Sequence, residues 1–220
     1  MDAVYVLREG VHDELRYSLR SLAANVEHDR VHLVGHRPPW ATGVNHIPTV
    51  QRGTKHQKVL TNLRAAIHSD AVSDPFMLWN DDMYAMQPVG KLPVMNGGPL
   101  SAAIRAAQSK GYRERLQATR DRLVAMGIEH PLAYDALHVP QTYAKADLLA
   151  ILDDGWPLWA TAYGNLVRTD HGTQMPNAKM PDPPYDGYPW LSSSDRGWGR
   201  KTPLGMHVRG VFPTPCRYER

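Results

Sequence analysis

Apolar positions in the first third of the chain fall into two alternating patterns. Ala3-Val4-Tyr5-Val6-Leu7, Val31-His32-Leu33-Val34-Gly35 and Phe76-Met77-Leu78-Trp79 are short, nearly unbroken apolar runs bounded by turn-forming residues. Runs of this kind predict strands buried on both faces, as in parallel sheets. Between them, Leu15, Leu19, Leu22 and Val26 recur at helical spacing, as do Val59, Leu63, Ala66 and Ile67. The first of these helices opens on His12-Asp13-Glu14, with acids in the first turn where the helix dipole favours them. His46-Ile47-Pro48-Thr49-Val50 predicts a short extended piece at a sheet edge, because Pro48 cannot donate to a ladder. Strand–helix alternation predicts an α/β fold with a mostly parallel sheet flanked by helices.

The pattern loosens after residue 90. Gly97-Gly98-Pro99 marks a turn. Residues 100–108 and 112–126 predict helices, the second strongly charged. Tyr134 to Pro140 predicts an extended segment, and residues 144–152 a short helix. Residues 171–191 are rich in Pro, Gly, Asp and Tyr and predict a long ordered loop or lid, and residues 206–212 a last helix. The expected organisation is one domain over residues 1–220, loop-rich towards its C-terminal end, with no internal repeat.

Composition adds limits. The 220 residues are 42% hydrophobic, enough for a substantial core. The net charge of +3 is too small to imply nucleic acid by itself, although arginine outnumbers lysine and suits phosphate contacts. Cys216 is the one cysteine, which excludes an internal disulfide and a Cys-rich zinc site. No apolar run approaches the roughly 20 residues of a membrane span, and no signal-peptide pattern opens the chain. These features predict a cytoplasmic protein without membrane insertion.

Chemistry concentrates where the third apolar run meets Asn80-Asp81-Asp82. Ligands of open α/β sheets bind outside the carboxyl ends of strands. Adjacent carboxylates there repel unless a positive charge lies beside them. A divalent cation, Mg²⁺ or Mn²⁺, is the usual solution, held by one or two carboxylates plus substrate phosphates. The competing reading is a solvated turn, since Asn and Asp are ordinary turn residues. Arg16, one step round from the apolar stripe, and Lys55, near a helix N-terminus, are candidates for a bound anion; both are equally readable as solvated side chains. Asn62, on the same helix as Lys55, is a further substrate-binding candidate.

Several segments together resemble the Stealth family of sugar-phosphate transferases, which includes capsular polysaccharide phosphotransferases and the lysosomal-enzyme GlcNAc-1-phosphotransferase. The resemblance lies in Asp2-Ala3-Val4-Tyr5-Val6, in Asp13-Glu14-Leu15-Arg16-Tyr17-Ser18-Leu19-Arg20-Ser21-Leu22, in Trp79-Asn80-Asp81-Asp82-Met83-Tyr84, in His138-Val139-Pro140 and in Phe212 to Glu219. Three places depart from the family pattern. Glu9-Gly10 stands where an aspartate normally precedes the glycine, the third region lacks its arginine with Arg168 nearby, and Ser194-Asp195 keeps one acid of an Asn-Asp pair. The resemblance implies a GT-A-like, Rossmann-type nucleotide-sugar domain. It implies a metal-dependent glycosyltransferase or phosphotransferase that moves a sugar or sugar phosphate from a nucleotide-sugar donor to a glycan, protein or possibly nucleic-acid hydroxyl. Asp81 and Asp82 would hold the metal, with Asn80 orienting them or the sugar. His138 would be the general base, supported by Asp195, and Arg16, Lys55 and Arg168 would face the diphosphate. A glycosyltransferase acting on modified DNA and a non-catalytic nucleotide-sugar or glycan binder are the alternatives.

Overall fold

The structure is a computed structural model and describes residues 1–179, 183–194 and 197–220. In chain order the elements are β1 (Asp2–Leu7), α1 (Asp13–Asn25), β2 (Val31–Gly35), β3 (Asn45–Ile47), α2 (Lys55–His68), β4 (Phe76–Trp79), β5 (Met83–Ala85), β6 (Met95–Asn96), α3 (Leu100–Ala106) and α4 (Lys110–Ala125). A 3₁₀ turn (Asp135–Leu137) follows, then β7 (Gln141–Tyr143), α5 (Lys145–Asp153), α6 (Trp159–Leu166), β8 (Thr173–Gln174), β9 (Trp190–Ser192) and α7 (Pro203–Val211). They divide into two compact units. The first comprises Met1–Leu92, Val139–Lys145 and Ala178–Arg220; the second comprises Pro93–His138 and Ala146–Asn177.

The first unit holds a five-stranded sheet in the order β3-β2-β1-β4-β7. β1 pairs in parallel with β2 and β4, and β2 with β3; only β7 runs antiparallel, on β4. The fold is therefore α/β with a mostly parallel sheet. Ala3, Val4, Tyr5, Leu33, Val34, Phe76 and Trp79 are fully or almost fully buried, which explains why these strands are uninterrupted apolar runs. α2 packs on β1 and β2, burying Leu63 and Ala66, and α1 packs on β5, burying Leu15, Leu19 and Leu22. The chain passes from β1 outward through β2 to β3, then returns through α2 to β4 on the other side of β1. The strand order thus reverses between β1 and β4, where open sheets form a crevice at their carboxyl ends. Gly35 ends β2 with φ +99°, and a Cβ there would lie 2.3 Å from the carbonyl oxygen of Leu7, so only glycine fits.

The second unit packs α3 on α4 and α4 on α6, with the short parallel pair β6–β8. Leu100, Leu116, Leu123, Leu137 and Leu148 are buried in it. Gly164 of α6 lies against the ring of Tyr134, which would stand 2.3 Å from an added Cβ. The extended segment expected from Tyr134 to Pro140 is instead a 3₁₀ turn that ends in His138. The cause is polar. Thr161 Oγ1 accepts the backbone N–H groups of Tyr134 and Asp135 at 3.0 and 3.3 Å, and the Asp135 carboxylate accepts the N–H of Thr161 at 2.8 Å. These bonds wind the segment onto the first turn of α6. Of the expected lid, residues 173–174 form β8 and Trp190 begins β9; Met180, Pro181 and Asp182 lie outside the described residues. Among the described residues no helix is long and apolar enough to cross a membrane.

Candidate functional site

The turn after β4 is held from both sides. The carbonyl of Asn80 accepts the N–H of Met83 at 3.3 Å, which closes a four-residue turn over Asn80-Asp81-Asp82-Met83. The indole N–H of Trp79 donates to the carbonyl of Met83 at 3.2 Å. Ser18 of α1 donates its single hydroxyl proton to that same carbonyl at 2.7 Å, so Tyr5 OH, 3.1 Å away, donates to Ser18 Oγ. One step further, the N–H of Ala85 donates to Ser21 Oγ at 3.2 Å. The Tyr-Ser-Leu-Arg-Ser stretch of α1 therefore fixes the backbone on which the two aspartates stand.

Those aspartates open onto a crevice of about 290 Å³ at the carboxyl ends of β1 and β4. Arg8, Glu14, Lys55, Asn80, Asp81 and Asp82 line it, with Lys179 and Ser194 reaching in from later in the chain. Glu14 comes from the first turn of α1 and Lys55 from the first residue of α2, so two helix N-termini face the same space. Larger cavities of about 610 and 680 Å³ lie in the second unit, but volume does not mark the chemistry. The larger of these is lined by alanines of α3 with Met175 and Pro176, and has no charged side chain.

The charge pattern of the crevice differs from that expected of two bare carboxylates. Asp81 Oδ2 lies 2.8 Å from His12 Nδ1, and Asp82 Oδ2 accepts from Lys179 Nζ at 2.7 Å. A lysine therefore already stands beside Asp82, and a histidine beside Asp81. His12 Nε2 faces the carbonyl oxygen of Arg8 at 2.6 Å, so both ring nitrogens meet acceptors. Burial disfavours a charged ring, but the bonds to Asp81 and to the Arg8 carbonyl prevail and hold the His12 pKa above its ordinary value. Asp82 Oδ1 is buried and has no hydrogen-bond partner among the described residues. Glu14 accepts a hydrogen bond from Ser193 Oγ, which also contacts Tyr84 OH at 2.9 Å. No group of three or more His, Cys, Asp or Glu side chains among the described residues is arranged to hold a metal ion.

Of the expected site residues, the crevice gathers Lys55, Asn80, Asp81 and Asp82. Arg16 turns to the C-terminal segment, where Nη1 donates to Glu219 Oε2 at 3.0 Å and the guanidinium lies 4.0 Å from the centre of the Trp40 ring. Asn62 is buried; its Nδ2 donates to the Leu7 carbonyl at 2.9 Å, and its Oδ1 accepts from Gln51 at 2.9 Å and from Thr49 at 2.5 Å. It ties α2 to the end of β1 below the crevice. Arg168 belongs to the second unit, over the rings of Tyr134 and Tyr163. His138 also belongs to the second unit, with its Nδ1 2.9 Å from Asn177 Oδ1. Its φ is +51°, the one positive φ of a non-glycine residue among those described. Asp195 lies outside the described residues. His12, Glu14, Arg8 and Lys179 also belong to the site or its border, and no motif in the sequence marks them as such. The acids of the α1 first turn were the available sign for Glu14; nothing local marks Lys179.

No family model matches the chain, and no curated protein matches it.

Proposed function

We propose that the protein is a divalent-cation-dependent transferase. It takes a sugar or sugar phosphate from a nucleotide-sugar donor and delivers it to a hydroxyl acceptor, as in the Stealth family its motifs resemble. The observation that carries this reading is the crevice between β1 and β4, where Asp81 and Asp82 meet Arg8 and Lys55 between two helix N-termini. Helix N-termini and cationic side chains suit a diphosphate. Carboxylates suit the cation that accompanies one.

The residues present fit such a cation. Asp82 Oδ1, buried without a hydrogen bond, offers the lone pairs a cation would take, and Asp81 stands beside it. Bound there, the cation would neutralise charge on the departing phosphate. Arg8 and Lys55, which line the same space, would add cationic contacts to the phosphates. For the acceptor hydroxyl, the proposed base is His138, on the resemblance of His138-Val139-Pro140 to the third region of the Stealth family. Within the second unit its Nδ1 lies 2.9 Å from Asn177 Oδ1. A histidine in the left-handed region is uncommon and accords with a functional constraint.

A thermal-shift screen of nucleoside-diphosphate sugars with Mg²⁺ and Mn²⁺ tests this reading. A donor at about 100 times its Kd stabilises the folded state by roughly 2.7 kcal/mol, readily visible as a rise in Tm. Stabilisation by a nucleotide sugar supports the reading. A flat response to every nucleotide sugar, with and without metal, would falsify it.

A further inference from the structure

Lys179 is delivered to Asp82 by ordered backbone. The N–H of Ser192 donates to the carbonyl of Ala178 at 2.7 Å, and Lys179 forms a parallel bridge with Ser192. From this anchorage Nζ reaches Asp82 Oδ2 at 2.7 Å, with the two side chains only 26% and 19% exposed. The other oxygen of the same carboxylate is the buried, unbonded Oδ1. A cation arriving at Oδ1 would therefore meet the Lys179 ammonium across one carboxylate, and like charges at that range repel strongly. Lysine is a compact charge on a flexible stem, so the ammonium can leave Asp82 if another anion takes it. In this crevice, which Lys179 lines together with Arg8 and Lys55, a diphosphate is that anion.

We infer that Lys179 is an exchangeable counter-ion. It holds Asp82 in the ligand-free protein and transfers to the diphosphate when metal and diphosphate enter together. The crevice then disfavours a free divalent cation and takes the metal–diphosphate pair as one ligand. This rests on the metal–diphosphate reading of the crevice and adds a named positioning residue to it. Lys179 acts through Asp82 before binding and on the phosphate after it.

The test compares wild type with Lys179→Met and Lys179→Arg in two binding measurements. The first is Mn²⁺ alone, followed by the electron-spin signal of the free ion. The second is uridine and adenosine diphosphate with saturating Mn²⁺, followed by calorimetry. K179M is expected to bind Mn²⁺ alone about tenfold more tightly and Mn²⁺–diphosphate about tenfold more weakly, within the usual range of coupling between ligands. K179R, which keeps the charge, is expected to stay close to wild type in both. Opposite shifts separate this role from a structural one, because a damaged fold weakens both ligands. If K179M does not fold, K179Q makes the same comparison. Unchanged or weaker Mn²⁺ binding in the neutral variant, with Mn²⁺–diphosphate still bound by wild type, overturns the role of Lys179 and leaves the crevice reading standing. Failure of every protein to bind Mn²⁺, with or without diphosphate, overturns both.

Discussion

His12 bridges the Asp81 carboxylate and the Arg8 carbonyl through its two ring nitrogens. Nδ1 is 2.8 Å from the Asp81 carboxylate, and Nε2 is 2.6 Å from the Arg8 carbonyl. Only the doubly protonated ring donates to both. Its pKa is accordingly raised above 6.5, against the opposing effect of burial. A group whose folded pKa is raised stabilises fully below its unfolded pKa and loses that contribution as pH rises through the folded value. His28, His32 and His36 act in the opposite sense: burial lowers their pKa values, so their contribution is complete above 6.5 and fades as pH falls. The His12 effect is isolated by comparing wild type with His12→Gln in urea denaturation across the pH range. The stability difference between the two is expected to be full below 6.5 and to shrink as pH rises above that value. A difference that holds constant over that range would show that His12 is not the charged partner of Asp81.

Arg20 and Glu219 form a bidentate, buried pair in the first unit. Nε and Nη2 of Arg20 donate to the two Glu219 oxygens at 2.7 and 2.8 Å, and Nη1 donates to the carbonyls of Phe212 and Pro213 at 2.9 and 3.0 Å. The two side chains are 9% and 2% exposed. Burial opposes ionisation of Glu219, yet the bonds from Arg20 and Arg16 hold its pKa below the usual range. Arg20→Met leaves that carboxylate buried and is expected to cost about 3–5 kcal/mol in urea denaturation. The double variant R20M/E219L is expected to recover much of the loss, because it removes both charges. A loss below about 1 kcal/mol in the single variant would place this pair among ordinary surface ion pairs.

For His138, catalysis and structure make separable predictions. His138→Ala is expected to bind the donor almost as well as wild type, because the proposed partner of the ring is the acceptor hydroxyl. Turnover is expected to fall by about 10²–10⁴-fold. Steady-state kinetics beside calorimetric donor binding reads both. Full turnover in the variant removes His138 from the mechanism. A parallel loss of Tm, donor affinity and turnover assigns it to the fold.

The central strands and first two helices were legible because burial on both faces of the sheet demands continuous apolar runs, and one-sided burial of a helix demands a 3.6-residue stripe. Ala3–Leu7, Val31–Gly35 and Phe76–Trp79 all lie within strands. The edge strand Asn45–Ile47 falls at the start of the extended piece expected around Pro48, but the three-residue strands Met83–Ala85, Gln141–Tyr143 and Trp190–Ser192 were not legible, being too short to show a period. The 3₁₀ turn before His138 was missed because Pro140 suggested extended backbone, whereas Thr161 and Asp135 supply hydrogen bonds that no local pattern announces. In the crevice, Asp81 and Asp82 were legible from an apolar run that ends in acids. Their partners were not, since His12 lies 69 residues from Asp81 and Lys179 lies 97 residues from Asp82. Long-range electrostatic pairing leaves no trace in local spacing. Arg16 shows the converse: its position on α1 allowed a phosphate role, but Glu219 and Trp40, far along or across the chain, engage its guanidinium.

The central claim is that the crevice between β1 and β4 binds a nucleoside diphosphate together with a divalent cation on Asp82. Calorimetry tests it most directly, with the best-binding nucleotide sugar titrated into wild type and Asp82→Asn, each with Mn²⁺ and with excess chelator. The account predicts tight binding only for wild type with Mn²⁺. Chelator or D82N should weaken it by at least about tenfold, equivalent to about 1.4 kcal/mol, while the unfolding midpoint of D82N stays within a few degrees of wild type. Equal affinity in all four titrations would contradict it.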